Sequence, residues 1–298
     1  MNEQTLTRWP RALVRSLRPA QWAKNLFVLA PVVFAHGLRA PRTLGHGLLA
    51  FAAFCAASSA LYLLNDVRDR EEDRNHPLKR FRPIAAGELS VGAAMAVAAA
   101  LVAAAGGAAV VLGAEFAVVL GVYLVLILLY TLGLKRVVIL DVMIIGLGFV
   151  LRVLGGAAAV DVEVSRWLLL CTIFLALFLA FSKRRHELLL LADRAPAQRE
   201  VLGQYSPTFL DQMINVVTAS SVVCYALYAV APETEQKYDT RYLVYTIPLV
   251  LFGIFRYLYL VYQSPGGRNP TEAILRDVPF VANLLLWGLA VTWIVYGT

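Results

Sequence analysis

The chain has 298 residues, 59% of them hydrophobic and 16% charged, with a mean hydropathy of +0.67 and a formal net charge of +7. A soluble domain carries about 25% charged residues, so this composition excludes an ordinary water-soluble globule and points to a bundle of membrane spans. Three cysteines (Cys55, Cys171, Cys224) and four histidines (His36, His46, His76, His186) show neither metal-ligand spacing nor a disulfide framework, and nothing in the basic balance recommends nucleic acid as a partner.

Residues 1–25 are polar and basic, with no small-residue cleavage site after a compact apolar core, so no cleavable signal is expected. Within the basic segment 1–22, Leu6, Trp9, Leu13 and Leu17 alternate with Arg8, Arg11, Arg15 and Arg18, the pattern of an amphipathic helix lying on a bilayer surface. Nine apolar runs follow, near 24–38, 42–65, 90–112, 114–134, 138–160, 165–182, 211–232, 241–262 and 277–297, the first being the shortest. The expected fold is one all-α polytopic transmembrane domain over 1–298. Small residues in the second and third runs (Ala52, Ala53, Ala56, Ala57; Gly106, Gly107) allow helices to approach closely.

The basic residues order these spans. Arg8, Arg11, Arg15, Arg18 and Lys24 precede the first, and fifteen more fall after spans two, four, six and eight; the other side holds only Arg39, Arg42, Arg166, Lys237 and Arg241. Twenty against five places the N-terminus in the cytoplasm and the C-terminus outside a cell membrane. The segments 66–89 and 183–210 are then cytoplasmic loops.

Span two runs into Asn65-Asp66-Val67-Arg68-Asp69-Arg70-Glu71-Glu72-Asp73. At 100° per residue, a helix continued through this stretch puts Asp66, Asp69 and Asp73 within roughly 60° of each other, with Glu71 and Glu72 pointing elsewhere. Stacked carboxylates repel, and a hard cation relieves the repulsion; Mg²⁺ takes one or two carboxylates together with substrate phosphates. Asn65 adds an amide oxygen or a hydrogen bond. The alternative is a solvated loop paired with its own Arg70 and Arg74. Lys79, Arg80 and Arg82 follow directly and suit a phosphorylated ligand, while Gly87 and Ser90 read as the turn and N-cap that start span three. Ionisable residues inside spans are further candidates: Asp141, as a metal, ribose or Lys135 partner; Arg256, for phosphate; and Arg152, for which snorkelling toward the outer surface is an equal reading.

The run Asn65, Asp66, Asp69 and Asp73, followed by Arg82-Pro83-Ile84 and Gly87, resembles the first signature of the UbiA superfamily of intramembrane prenyltransferases. Tyr130 followed by Lys135-Arg136 resembles the tyrosine and basic pair at the end of that family's fourth helix. Where the superfamily usually carries a second aspartate-rich motif, this chain has Ser182-Lys183-Arg184-Arg185-His186-Glu187. That stretch, with Arg18-Pro19-Ala20-Gln21-Trp22-Ala23-Lys24-Asn25, Arg199 to Tyr205, Asn269-Pro270-Thr271-Glu272 and Asp277-Val278-Pro279, is similar to a narrower branch, the decaprenyl-phosphate phosphoribosyltransferases.

The resemblance implies a nine-helix bundle with a cytoplasmic active site. It also implies a Mg²⁺-dependent transfer of phosphoribosyl from phosphoribosyl diphosphate to a polyprenyl (decaprenyl) phosphate, a step toward arabinose donors of the actinobacterial cell wall. A lipid phosphate oxygen is already an anion and needs placement rather than a strong base, so cations in place of a second acidic motif suit the chemistry. Lys183, Arg184 and Arg185 would hold the ribose 5-phosphate or the lipid phosphate, or else anchor span six to anionic lipid. Lys24, Lys135 and Arg136 are further phosphate candidates, and Glu187 a candidate for ribose hydroxyls. Tyr130 suits a phosphate or sugar hydroxyl, or an interfacial aromatic belt. The alternative enzyme is a UbiA-type prenyltransferase acting on prenyl diphosphate and an aromatic or other acceptor. A transporter would place its ionisable residues near the midplane, not at one rim. The oligomeric state, a homo-oligomer included, is left open.

Overall fold

The structure is a computed structural model that describes residues 3–34, 39–77, 79–191, 200–263 and 276–297. The side chains of 3–8, 190–191 and 200 are outside that description. Among the described residues there are helices and no strands: α1 (Glu3–Leu17), a 3-10 segment (Pro19–Leu29), α2 (Ala30–Phe34), α3 (Pro41–Arg68), α4 (Arg70–Asn75), α5 (Val91–Leu112), α6 (Ala114–Leu132), α7 (Leu140–Val160), α8 (Arg166–Leu191), α9 (Pro207–Val230), α10 (Pro232–Tyr238), α11 (Ile247–Gln263) and α12 (Val278–Tyr296). Short 3-10 turns at Lys79–Phe81, Leu134–Arg136, Glu200–Gln204 and Tyr242–Thr246 join them.

Seven of these helices, and α11 together with the 3-10 turn before it (Tyr242–Gln263), are long and apolar enough to cross a membrane, and these eight correspond to spans two to nine of the sequence reading. The expected first span, 24–38, is instead built from the 3-10 segment and the five-residue α2, with 35–38 outside the described residues. The chain is a multi-pass membrane protein. Its Cα packing divides it into two compact units, Met1–Leu134 with Leu151–Val164, and Lys135–Val150 with Ser165–Thr298. The one domain expected over 1–298 thus has two packing centres, and α7 gives its first half to one and its second half to the other.

In the first unit α3 lies antiparallel to α5. Ala50, Ala53 and Ala57 meet Ala105 and Ala109 at one end, while Ala60 and Leu63 meet Ala94 and Ala98 at the other. Without a hydrophobic drive between helices in lipid, close van der Waals packing is what small side chains provide. Gly106 and Gly107 do not share in it: both are exposed, and a Cβ at either would meet nothing within 4 Å. Phe54 fills the middle, edge-on to Phe116 at 6.0 Å and tilted against Tyr123 at 5.1 Å. Gly155 of α7 faces this ring so closely that a Cβ would lie 2.5 Å from it. Gly113, at φ +101, is the single residue between α5 and α6; only glycine takes that backbone without strain. One face of α1 rests on protein: Ala12 and Ser16 are buried, and Leu13 and Leu17 join the Ala60–Leu63–Ile84–Leu89 cluster.

In the second unit, Leu177, Phe178 and Phe181 of α8 pack with Leu210, Ile214 and Val217 of α9, and Tyr257 of α11 tilts onto Phe178 at 4.6 Å. Ser206 caps α9 through Phe209 N–H at 3.1 Å, and Asp277 caps α12 through Phe280 N–H at 2.9 Å. Each cap satisfies an N-terminal donor that the helix leaves unbonded.

Candidate active site

The helix of α3 runs almost without interruption into α4. Asn65 C=O accepts Asp69 N–H at 2.9 Å and Asp69 C=O accepts Asp73 N–H at 2.8 Å, so the backbone at Asp69 (φ −84, ψ 9) bends rather than breaks. The register read from the sequence therefore holds for Asp66 and Asp73, two turns apart and each 2% exposed. Glu71 and Glu72 face solvent. Arg74 bonds Glu71 at 3.0 and 3.1 Å and Ala85 C=O at 3.2 Å, so it does not neutralise the buried pair.

That task falls to two arginines from elsewhere. Arg82 Nη1 lies 3.1 Å from Asp66 Oδ1 and 2.7 Å from Asp73 Oδ2. Arg18 Nη2 lies 2.5 Å from the same Asp66 oxygen, with its guanidinium over the Tyr62 ring at 4.8 Å. The third carboxylate, Asp69, accepts the Asn65 amide at 3.0 Å. Among the described residues no three acidic, histidine or cysteine side chains form a ready cage for a metal. The donors nonetheless suit Mg²⁺, being hard carboxylate oxygens that need supply only one or two ligands when phosphates supply others. The guanidiniums already on Asp66 and Asp73 show that this pair calls for positive charge.

The loop carrying Arg82 is fixed by apolar anchors and a turn. Ile84 and Leu89 are each 1% exposed, Pro83 C=O accepts Leu89 N–H at 3.1 Å, and Gly87 takes φ +78. Ser90 caps α5 through Ala93 N–H at 3.2 Å, as its position suggested. Lys79 is half-buried, its N–H on His76 Nδ1 at 3.2 Å. Arg80 lies exposed over the Phe81 ring at 4.9 Å. Lys24 is exposed on the 3-10 segment and Tyr130 half-buried near the end of α6. Arg68 bonds the carbonyls of Thr131 and Leu132 at 2.5 and 2.8 Å, closing the C-terminus of α6.

The second unit holds its own charged centre. Asp141 is fully buried; its Oδ2 accepts Arg184 Nε at 2.7 Å and its Oδ1 accepts the Tyr205 hydroxyl at 2.7 Å. Tyr205 in turn accepts the N–H of Ile139 at 2.7 Å. Ile139 sits at φ +68, a conformation strained for a β-branched residue. Burial, then the bond to Asp141, pushes the Tyr205 phenol well above its ordinary value. Arg184, 2% exposed, also bonds Glu187 at 2.6 Å, and Lys183 approaches Glu187 at 3.7 Å. Lys135 and Arg136 occupy the short turn just before α7, half-buried and exposed respectively.

The stretch 183–187 is not a loop. It continues α8 to Leu191, and successive helical residues diverge by 100°. Lys183 therefore faces outward, Arg184 inward to Asp141, and Arg185 toward α9 and α11, where it bonds Asp211 at 2.5 Å and lies over Tyr262 at 4.1 Å. These three cations do not form one cluster. Arg256 is likewise engaged, in a two-pronged pair with Asp277 at 3.0 and 2.7 Å that holds the Asp277 carboxyl below its usual range. Arg152 is not a snorkelling side chain: it is 6% exposed, with Nε on Asn25 at 2.7 Å and Nη2 on the Tyr123 hydroxyl at 2.9 Å. The motif residues Arg199 and Asn269–Glu272 lie outside the described residues.

The structure defines the class, a multi-pass helical membrane protein with a buried acid–arginine site at the end of a span, and the relatives of this chain are transferases. The chain belongs to the UbiA prenyltransferase family, whose model matches residues 26–284. The decaprenyl-phosphate phosphoribosyltransferase of Corynebacterium glutamicum is 38% identical over 290 residues, covering 95% of this chain and 86% of the relative. Those of Mycolicibacterium smegmatis and Mycobacterium tuberculosis are 36% and 35% identical, over 92% and 96% of this chain and 89% and 96% of theirs. Among solved structures, a UbiA homolog from Archaeoglobus fulgidus shares the fold. Bound to DMAPP and Mg²⁺ it gives a TM-score of 0.72, covering 95% of this chain and 98% of that one at 19% identity; bound to GPP and Mg²⁺ it gives 0.71, covering 95% and 96% at 19% identity.

Proposed function

We propose that the chain transfers the 5-phosphoribosyl group of phosphoribosyl diphosphate to decaprenyl phosphate, releasing diphosphate, as part of cell-wall arabinan precursor synthesis. The observation that carries the chemistry is the Asp66–Arg82–Asp73 bridge at the end of α3, buried and already drawing two guanidiniums. The substrate pair comes from the named relatives, which match this chain nearly end to end.

In the reaction an oxygen of the lipid phosphate forms the bond to ribose C1 as the bond from C1 to diphosphate breaks, its electron pair leaving on diphosphate oxygen. Bound to Asp66, Asp69 and Asp73, with Asn65 at hand, Mg²⁺ would neutralise the charge gathering on the leaving group. Arg82 and Arg18 hold Asp66 and Asp73 in one place and offer N–H donors to diphosphate oxygens, the fork geometry that suits such anions. Lys79, Arg80 and Lys24 supply positive charge for the remaining phosphates, and Tyr130 a hydroxyl for sugar or phosphate; in the second unit Lys135 and Arg136 are further phosphate candidates. The Asp141–Arg184–Tyr205 network fixes the start of α7, directly after Lys135 and Arg136. Arg184 is thereby a positioning residue, Glu187 and Lys183 are left at the more open side of that network, and Arg185 and Arg256 serve packing between helices.

The excess of basic residues after alternate spans supports an N-terminus in the cytoplasm, a C-terminus outside, and a substrate site at the cytoplasmic face of the cell membrane. The test is diphosphate release by purified protein given phosphoribosyl diphosphate, decaprenyl phosphate and Mg²⁺. Release only with prenyl diphosphate and an aromatic acceptor would replace this reading with prenyl transfer.

A further inference from the structure

Arg18 reaches Asp66 from a backbone that does not relax there by itself. It sits at φ 54, ψ 59, the left-handed region that a residue other than glycine seldom occupies. It caps a 3-10 helix of eleven residues, whereas such helices seldom exceed three or four. At about 2.0 Å per residue instead of 1.5, a 3-10 helix is a stretched form, and it persists when its surroundings hold it.

Side chains of α3, α6 and α7 hold it. Trp22 Nε1 donates to Ser59 Oγ at 3.0 Å, and that hydroxyl donates to Leu17 C=O at 2.9 Å. Asn25, fully buried, donates to Cys55 Sγ at 3.2 Å and Ser58 Oγ at 3.3 Å, while its own oxygen accepts Arg152 Nε at 2.7 Å. Arg152 is braced from the other side by Tyr123, through the hydroxyl at 2.9 Å and the ring face at 4.9 Å. One turn beyond Arg152 on the same helix, Gly156 has no Cβ to collide with the carbonyl oxygen of Val28, so the end of the segment lies directly on α7. A guanidinium buried among membrane spans is costly to desolvate, and its two directed bonds fix one geometry of the segment.

We propose that Arg152 is a positioning residue for the transfer reaction: through Asn25 it sets the 3-10 segment, and the segment sets Arg18 over Asp66. This rests on the reading of Asp66 as a carboxylate of the diphosphate site. Arg152 acts at a distance, so its effect passes through Arg18.

The test is a double-substitution cycle in purified, lipid-embedded protein, with diphosphate release as the rate. Arg152→Lys keeps the charge and loses the fork; Gly156→Ala leaves Arg152 untouched and pushes on Val28. Each is expected to lower kcat/KM roughly tenfold alone and less than about twofold when Arg18 is already alanine. A second readout does not involve activity. With Cys171 and Cys224 replaced by serine, Cys55 is the remaining thiol, 6% exposed and covered by Asn25. Labelling by a membrane-permeant maleimide should speed up at least about fivefold in Arg152→Lys and Gly156→Ala, and stay unchanged in Arg18→Ala, if the segment loosens locally. Equal losses of rate with and without Arg18, or unchanged labelling, would overturn the proposal. Full activity of Asp66→Asn would sink the underlying site reading instead, and the labelling result would stand apart from it.

Discussion

Asp66 and Asp73, seven residues apart, each present one carboxylate oxygen to the same nitrogen of Arg82, at 3.1 and 2.7 Å. Apolar side chains of similar volume would hold spans together as well as or better than buried acids paired with arginine. On the proposed reading, the charge of this bridge serves the diphosphate site.

Substitution at this bridge separates chemistry from packing. Asp66→Ala and Asp69→Ala are expected to lose at least about two orders of magnitude in rate, the scale of a removed electrostatic group. Arg82→Ala should lose at least roughly tenfold, as two carboxylates are left without their shared partner. Glu71→Ala, exposed and bonded to Arg74, should stay within about twofold. Steady-state diphosphate release measures all four.

The buried pair Asp141–Arg184 predicts a non-additive stability series. Asp141→Leu or Arg184→Met alone strands a buried charge, costing on the order of 3–5 kcal/mol, while the double substitution removes both charges and should recover much of that loss. Thermal unfolding in lipid nanodiscs reports it. Two equal and additive losses would show that the pair is not coupled.

How much of this was legible from the residues alone depends on how far apart in the chain the partners lie. The shared face of Asp66 and Asp73, with Glu71 and Glu72 turned away, follows from helical periodicity and is what the structure shows. Arg18, 48 residues from Asp66, carries no local signal for that contact. For Arg152 the sequence leaves snorkelling as an equal reading because depth is counted along its own helix, while its partner Asn25 is 127 residues away. Lys183, Arg184 and Arg185 looked like one cationic group because they are adjacent in sequence, and helical geometry is what separates them. Tyr205 lay within a motif, but only the fold brings its hydroxyl to Asp141 and Ile139.

Tyr205→Phe removes the hydroxyl between Asp141 and the strained Ile139 N–H, at an expected cost of about 1–3 kcal/mol for an unsatisfied buried donor. The pH dependence has a definite sign. Its phenol is raised in the folded protein, so above about pH 10 the unfolded chain loses a proton that the native one keeps, and stability falls as pH rises. The Phe variant should lack that part of the alkaline decline, as followed by thermal unfolding between pH 8 and 11.

Removal of divalent ions should abolish turnover. With chelator in excess, diphosphate release is expected to fall to background and to return on adding Mg²⁺, since carboxylates and diphosphate repel without a cation between them.

Equilibrium binding of phosphoribosyl diphosphate, in Mg²⁺, to the wild-type chain and to Asp66→Ala reads the acidic site without the chemical step. The wild type should bind at least roughly tenfold more tightly, a difference of about 1.4 kcal/mol. Equal affinity in the two proteins would contradict the assignment of the diphosphate to the end of α3.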